Sequence, residues 1–398
     1  MSIILGHDKT GKRLQLNFSH KDLANRHFLI TGISGQGKTY ATLNLLNEIR
    51  IGGESAIVFD YVNAFSTSQL DPAFIRANED RLEYIDLHGE KKVPVNPFRL
   101  YSLEKDDEKE SDIEAADRLA GLLALVFKLG KQQQHVIYDF FRSFFIAQSC
   151  IHKQIKNKVL TELTEDEKST VKIIVQQIKN KMNPLSILKL YLNDSPEGSL
   201  GDVKNRVLSK MATFIDLVSF SDNTFEWGDY IYNHSKITII ELGSYSNEDI
   251  RRLILEFLLW DLWDYTTRKG SVHKPFVSVF DECQVLSFKN TSPASRILTQ
   301  GRKFGYSSWF ITQFVRGQFD DGAIGILEQA ATKLFFKPSD KDVEYVAKSI
   351  DPSNPKLWIQ HIINLNKGQC IAKGCFVKQL NPSRSAESPP IILNIPRL

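Results

Sequence analysis

Cysteine is scarce in this 398-residue sequence, which has four, and their spacing matches no common cysteine-based site. No two of them form a CxxC pair, and none stands at zinc-ligand spacing from a second cysteine and a histidine. The pattern argues against a disulfide framework and a zinc site, so we expect ordinary reduced thiols. The four cysteines are Cys150, Cys283, Cys370 and Cys375.

Long apolar runs are also missing. The longest apolar stretches, Leu119 to Phe127 and Leu253 to Trp263, are too short or too interrupted to cross a bilayer. The chain does not open with the charged and apolar regions of a secretory leader. The sequence therefore predicts a cytoplasmic protein with no membrane partner.

An excess of one charge sign is absent as well. Fifty Lys and Arg residues stand against 47 Asp and Glu residues, which leaves a formal net charge of +3. A balance this even does not indicate a nucleic-acid-binding protein. Any surface that binds DNA must therefore be a local patch.

What the sequence does contain is a glycine-rich motif near its start, GxxxxGK[ST], which follows the apolar run His27–Thr31. In such a motif the glycines let backbone N–H groups surround phosphates, the lysine reaches the β- and γ-phosphates, and the hydroxyl ligates Mg²⁺. The helix that follows adds its positive N-terminal end. We therefore predict a nucleotide site in which Lys38 is also catalytic and Thr39 is a metal ligand. The predicted binding residues are Gly32, Ile33, Ser34, Gly35, Gln36, Gly37, Lys38, Thr39 and Tyr40.

A second signal lies far downstream, where the apolar run Phe276–Phe280 ends in two adjacent carboxylates. A buried parallel strand with this ending suits a magnesium-nucleotide site. Asp281 is the predicted Mg²⁺ ligand, and Glu282 is the predicted general base for the attacking water. The alternative for both is a solvated loop after a strand.

Two more polar residues are candidates for the same chemistry. Gln313 ends the run Trp309–Gln313, which should pair with the acidic strand, so its amide could contact the γ-phosphate or the attacking water. Arg302, just before that run, could reach the nucleotide of a neighbouring subunit, where an arginine contributes on the order of 10³ to 10⁵ in rate. The alternatives are a capping or surface glutamine and a surface or DNA-facing arginine.

The order of apolar and amphipathic segments predicts an α/β fold with a mostly parallel sheet, covered on both faces and interrupted by an α-helical insertion. A hairpin is expected at each end of the core, from Ser2 to Leu16 and from Gln369 to Val377, and the apolar end of the tail, Ile391–Ile395, should dock. The predicted divisions are 1–102 for the first part of the core, 103–225 for the insertion, 226–380 for the second part of the core, and 381–398 for the tail.

These residues resemble the HerA/FtsK group of P-loop motor ATPases. The resemblance rests on the GxxxxGK[ST] motif, the strand 236–242 ending in Glu241, Phe280-Asp281-Glu282, the run 301–305 and Ile311-Thr312-Gln313. It implies a RecA-like core, ATP and Mg²⁺ as cofactors, a homohexameric ring and ATP-driven movement of double-stranded DNA. It also implies the roles given above for Lys38, Thr39, Asp281, Glu282 and Gln313, with Arg302 acting in trans.

The chain departs from the group in two places. HerA-type proteins usually carry an N-terminal β-barrel, and only 26 residues precede the first core strand here, so we expect either a minimal motor or a fragment of a larger protein. The run after the second core strand, Asp60–Ser66, differs from the usual one, so Asp60 is given no catalytic role. Segments 333–339, 367–370 and 392–398 are similar to the ATPase of phosphorothioation-linked and related anti-phage systems, which implies a partner nuclease or effector.

Together these features predict a Mg²⁺-dependent ATPase that forms a ring and translocates on or remodels double-stranded DNA. The alternatives are a protein-translocating ATPase of the secretion type and an ATP-gated scaffold for an effector. DNA contacts would come from basic clusters, although such clusters are usually only solvated helix faces. The candidate clusters are His152–Lys158, Lys179 with Lys181, and Lys204 with Arg206 and Lys210.

Overall fold

The computed structural model describes residues 1–87, 92–101, 109–152, 163–194, 198–221, 225–232, 235–313, 315–376 and 388–397. The chain forms two compact units. The sheet unit comprises Met1–His88, Glu226–Ser246 and Lys269–Leu398, and the helical unit comprises Gly89–Phe225 and Asn247–Arg268.

An eleven-stranded mixed sheet organises the sheet unit. The strands lie in the order β2-β1-β11-β10-β9-β3-β8-β7-β4-β6-β5. Neighbours from β9 to β5 are parallel and those from β2 to β9 are antiparallel, which confirms the predicted mostly parallel sheet. The strands are β1 Ser2–His7, β2 Arg13–Asn17, β3 Phe28–Thr31, β4 Ala56–Asp60, β5 Leu82–Asp86, β6 Ile237–Glu241, β7 Phe276–Phe280, β8 Tyr306–Thr312, β9 Thr332–Phe335, β10 Gln369–Gly374 and β11 Ser388–Asn394.

The central strands are mostly apolar because helices cover both faces of a parallel sheet. Every residue of β3, β4, β7 and β8 is buried. Two of their polar side chains pair with each other: the hydroxyls of Ser278 on β7 and Ser308 on β8 lie 2.6 Å apart. That bond satisfies two buried polar groups at adjacent positions of the sheet.

Some helices of the sheet unit begin at a capping side chain. The Asp71 carboxylate accepts from the Ala73 N–H, and Pro72 follows at the first helical position. A short 3₁₀ turn at Cys283–Val285 follows β7, and another at Gly301–Phe304 precedes β8. The α-helices are Lys38–Ile51, Pro72–Asn78, Gly228–Ile231, Pro293–Gln300, Asp321–Leu327, Val343–Ile350 and Pro355–Ile363.

Two predictions about the chain ends have different outcomes. The first hairpin is confirmed as β1 and β2, and the apolar tail docks as β11 between β1 and β10. The second predicted hairpin is wrong, because Gln369–Gly374 is one strand between β9 and β11. Val377 and the tail residues 381–387 lie outside the described residues.

The helical unit is built from capped helices around an aromatic core. Ser111 and Glu114 form a reciprocal capping box at one helix, and Thr164 and Glu167 form another. Stacked and edge-on phenylalanine rings fill the interior, such as the pair of Phe98 on Phe141 at 5.8 Å. The helices are Asp112–Val126, Lys131–Ile151, Glu165–Lys179, Pro184–Asn193, Ser199–Leu217 and Glu248–Lys269, whose last residue belongs to the sheet unit.

Among the described residues, no helix is both long and apolar enough to cross a membrane.

The basic clusters proposed from the sequence differ in structure. Lys204 is buried, its Nζ donates to the carbonyls of Tyr191 and Asp194 at 3.0 Å each, and it lies over the Tyr191 ring. Its ammonium is thus used inside the helical unit, and the prediction that Lys204 faces DNA is wrong. Lys179 and Lys181 are exposed. Residues 153–158 of the first cluster lie outside the described residues.

Replacing Leu393 on β11 with alanine should destabilise the sheet unit, because this side chain is fully buried in the main core. We expect the free energy of unfolding to fall by about 2–5 kcal/mol, measured by urea denaturation. Leu357→Ala is the matched control, since Leu357 is 46% exposed and should change stability by about 0.5 kcal/mol or less. Equal effects of the two variants would contradict the docking of β11.

Candidate functional site

The glycine-rich loop lies between β3 and the helix Lys38–Ile51, as the motif requires. Gly35 and Gly37 have φ angles of 77° and 108°, in a region that glycine enters without steric cost. The loop ends at Gly37, so Lys38 opens the helix and Thr39 stands in its first turn. The predicted binding residues 32–40 therefore form one continuous loop and helix start, with the positive end of the helix at its centre.

Neighbouring chain segments hold this loop in place through close packing and backbone hydrogen bonds. Gly32 has a φ of 145°, and a Cβ there would stand 2.6 Å from the Cβ of Phe336, so only glycine fits. The Ile33 N–H donates to the carbonyl of Lys337 at 3.0 Å, and the Gly368 N–H donates to the carbonyl of Gln36 at 3.0 Å. The loop is thus held by the segments after β9 and before β10.

Lys38 interacts electrostatically with the two carboxylates that follow β7. Its Nζ donates to the carbonyls of Gly32 at 2.6 Å and Ile33 at 3.2 Å. Burial lowers the pKa of Lys38, and the opposing attraction of Glu282 and Asp281 favours its charged form. The structure therefore brings together the loop lysine and both predicted carboxylates.

Asp281 follows β7 and is only 7% exposed. Burial, together with the neighbouring charges of Glu282 and Asp60, raises its pKa to about 7, although Lys38 acts in the opposite direction. Asp60, at the end of β4, is buried too and accepts from the N–H groups of Ala64 and Phe65 at 2.9 Å each. A buried carboxylate with so little compensation is suited to a cation as its partner.

Glu282 has an unusual backbone for a residue with a side chain, with φ 55° and ψ 51°. Both oxygens of its carboxylate accept from side-chain amides. Gln313 Nε2 donates to Oε1 at 2.6 Å, and Gln284 Nε2 donates to Oε2. The predicted sensor Gln313 and the predicted base Glu282 are thus hydrogen-bonded to each other from the ends of the neighbouring strands β8 and β7.

Gln284 is a site residue that the sequence analysis did not identify. It lies in the 3₁₀ turn Cys283–Val285, and its Oε1 accepts from the Thr312 hydroxyl at 3.0 Å. A single glutamine two residues after a carboxylate has no recognisable pattern. Only its position after a strand that ends in two carboxylates could have indicated it.

Arg302 is not part of this cluster. It lies in the turn before β8, where its Nη1 donates to the carbonyl of Ala24 at 2.6 Å and its side chain lines a cavity with Arg26 and Glu54. The glycine-rich loop follows the opposite end of the neighbouring strand β3. At about 3.3 Å per residue, the seven residues of β8 put roughly 20 Å between the two ends.

Known proteins resemble this chain over most of its length. A family described as "Helicase HerA, central domain" matches residues 3–261. The chain belongs to the HerA helicase family. The match includes the glycine-rich loop and ends before Asp281, Glu282, Arg302 and Gln313. The resemblance drawn from the sequence is thereby confirmed.

One curated relative of this HerA-family chain is the DNA double-strand break repair helicase HerA of Sulfolobus acidocaldarius. The two are 25% identical over 397 residues, which cover 94% of this chain and 68% of the relative. The chain spans about two-thirds of the length of the curated relatives it matches.

Solved structures show that the fold is shared with RecA-like P-loop ATPases. VirB4 of Thermoanaerobacter pseudethanolicus aligns over 100% of this chain and 96% of its own, with a TM-score of 0.68 and 15% identity. The plasmid coupling protein TrwB, solved with ADP and Mg²⁺, covers 94% of this chain and 86% of its own, with a TM-score of 0.53 and 14% identity. The HerA-family chain is a P-loop ATPase.

Asp281→Asn should change stability in a pH-dependent way. The folded-state pKa of about 7 exceeds the ordinary value of 3.8, so the folded protein binds this proton more tightly and loses stability as pH rises between them. The asparagine variant avoids that loss. In EDTA without nucleotide, its advantage in free energy of unfolding should be absent below about pH 4 and fully developed above about pH 7. A difference that is constant across this range would contradict the assignment.

Proposed function

We propose that this HerA-family ATPase forms a ring and couples ATP hydrolysis to translocation on, or remodelling of, double-stranded DNA. We assign the ATPase core to residues 1–102 and 226–380 and the helical insertion to residues 103–225. The sheet unit forms most of this core, while residues 89–102 and 247–268 belong to the helical unit. A partner nuclease or effector in phage defence or DNA processing completes the proposal. The cytoplasmic location predicted from composition remains a prediction.

The site residues fit a magnesium-nucleotide complex. The loop 32–37 would hold phosphate oxygens through its backbone N–H groups, and Lys38 would pair with the β- and γ-phosphates. Thr39 and Asp281 offer the hard oxygen ligands that Mg²⁺ prefers, and the buried Asp281 carboxylate gains a cation to offset its burial. Bound Mg²⁺ would neutralise the charge that develops on the phosphates.

The contact between Gln313 and Glu282 carries the proposal of hydrolysis. Glu282 favours the charged form of the loop lysine, and its carboxylate is held at both oxygens by amides, so it has a fixed orientation from which to accept a proton from water. Gln313 donates to the same carboxylate at 2.6 Å, so it would be placed to respond to cleavage of the γ-phosphate. Its expected role as a sensor follows from this position.

DNA as the substrate is supported by the relatives. The Sulfolobus acidocaldarius protein is named as a helicase of DNA double-strand break repair. Within the described part of the chain, the exposed cations Lys179, Lys181, Arg206 and Lys210 are candidates for contacts with phosphates. Such contacts would make affinity fall with salt, with a slope of roughly 0.9 per contact on logarithmic axes.

The first test is ATP hydrolysis by the purified protein with and without long duplex DNA, together with its mass in solution with nucleotide bound. We expect duplex DNA to stimulate hydrolysis and the mass to correspond to a hexamer. The control is Glu282→Gln, which keeps the shape of the side chain and should retain ATP binding with turnover lower by about 10²-fold or more. A rate of ATP hydrolysis that duplex DNA does not change would favour a protein-translocating motor or a scaffold.

Arg302 should act on the nucleotide of a neighbouring subunit, because the phosphate loop of its own subunit lies at the opposite end of the strands. Arg302→Ala and Lys38→Ala should each abolish most hydrolysis when every subunit carries the change. Mixed rings should regain activity, since an intact loop in one subunit can face an intact arginine in the next. Mixed rings that stay inactive, with mixing verified by differently tagged subunits, would contradict action in trans.

A further inference from the structure

We propose that Gln284 is a positioning residue for Glu282 and that the Thr312 hydroxyl sets its orientation. The inference rests on the proposed role of Glu282 as the general base and extends it to two further residues. Its basis is a continuous set of side-chain hydrogen bonds that joins the end of β7 to the end of β8.

Contacts with other residues are needed to hold Glu282 in one orientation, because its backbone conformation is unfavourable and its side chain can rotate. The left-handed conformation at φ 55° is rarely adopted by residues with a Cβ and costs on the order of 1 kcal/mol or more. A glutamate also has three rotatable side-chain bonds. The bond from Gln313 at 2.6 Å fixes one oxygen only, so rotation about that contact remains possible.

Gln284 removes this remaining freedom. Its amide donates to Oε2, the oxygen that Gln313 does not contact. Two donors on two different oxygens define the plane of the carboxylate as well as its position. Each oxygen has a second lone pair, so a water molecule can still be bound and deprotonated.

The orientation of the Gln284 amide is itself set by Thr312. An amide offers a donor at one end and an acceptor at the other, and only the donor end can bond to a carboxylate. The Thr312 hydroxyl donates to Gln284 Oε1 at 3.0 Å, which directs Nε2 toward Glu282. Thr312 is fully buried at the end of β8, next to Gln313, so one strand end places both glutamines.

The nearby Gln318 offers a matched control. Its Oε1 lies 3.5 Å from the same Thr312 hydroxyl, at the limit of a hydrogen bond, and the residue is exposed. A hydroxyl has one proton to donate, and the shorter contact to Gln284 uses it. Gln318→Ala therefore makes the same chemical change as Gln284→Ala without disturbing Glu282.

The test is steady-state ATP hydrolysis by the full chain, with kcat and KM measured separately. Gln284→Ala should lower kcat by roughly 10- to 100-fold with little change in KM for ATP, because the base is misplaced while the phosphate loop is intact. Thr312→Val, which keeps the shape, should lower kcat, and Thr312→Ser, which keeps the hydroxyl, should restore it. Gln318→Ala should match the wild type.

A double variant distinguishes the loss of Glu282 positioning from general damage to the structure of the site. If Thr312 acts through Gln284, Gln284→Ala combined with Thr312→Val should be no slower than Gln284→Ala alone. If Gln284→Ala fails to fold, as judged by thermal unfolding, the comparison of Thr312→Val with Thr312→Ser decides the matter.

Several outcomes overturn the inference. A kcat of Gln284→Ala equal to or above that of the wild type would do so, as would Thr312→Val and Thr312→Ser with equal kcat. Turnover retained by Glu282→Gln in the same series would remove the base role on which the inference rests. Wild-type protein that does not hydrolyse ATP would overturn the proposed function as well, whereas active wild type with an unaffected Gln284→Ala overturns the inference alone.

Discussion

The parallel pairing of β3, β8 and β7 is the constraint on which the site depends. Thr31 on β3 pairs with Thr312, and Phe280 on β7 pairs with Phe310. Because parallel strands end at the same edge, this register delivers the phosphate loop, Gln313 and the two carboxylates to one place. A shift of one residue in any strand would turn these side chains away from each other. Continuous burial of the three strands on both faces is what holds the register.

That arrangement concentrates negative charge where water is partly excluded. Asp281 and Asp60 are buried at adjacent strand ends, and burial raises the pKa of each carboxyl. Lys38 supplies the opposing charge from the loop, and burial lowers its own pKa in turn. The negative charge is not fully balanced in the protein alone, which suits a site whose ligand brings a divalent cation.

Features that depend on local chemistry could be predicted from the sequence, whereas features that depend on long-range contacts could not. The phosphate loop and the acidic strand are visible because residue type and spacing fix their chemistry. Strand β5 was missed because Leu82–Asp86 is a partly buried strand at the edge of the sheet and carries two acidic residues. Lys204 was misread because a buried ammonium bonded to carbonyls has the same sequence signature as an exposed one. Gln284 was missed because its role requires the left-handed turn at Glu282, which sequence does not indicate.

The antiparallel half of the sheet contributes to the site although it carries none of its motifs. Gly368, in the turn before β10, donates to the carbonyl of Gln36 in the phosphate loop and accepts from the N–H of Ile395 after β11. Asn44, on the helix that follows the loop, donates to the carbonyl of Pro396 at 2.9 Å. The segment after β11 thus contacts the glycine that supports the loop and the helix that follows the loop. Glycines give the loop the freedom to surround phosphates, and the shape it keeps depends on contacts made more than three hundred residues later.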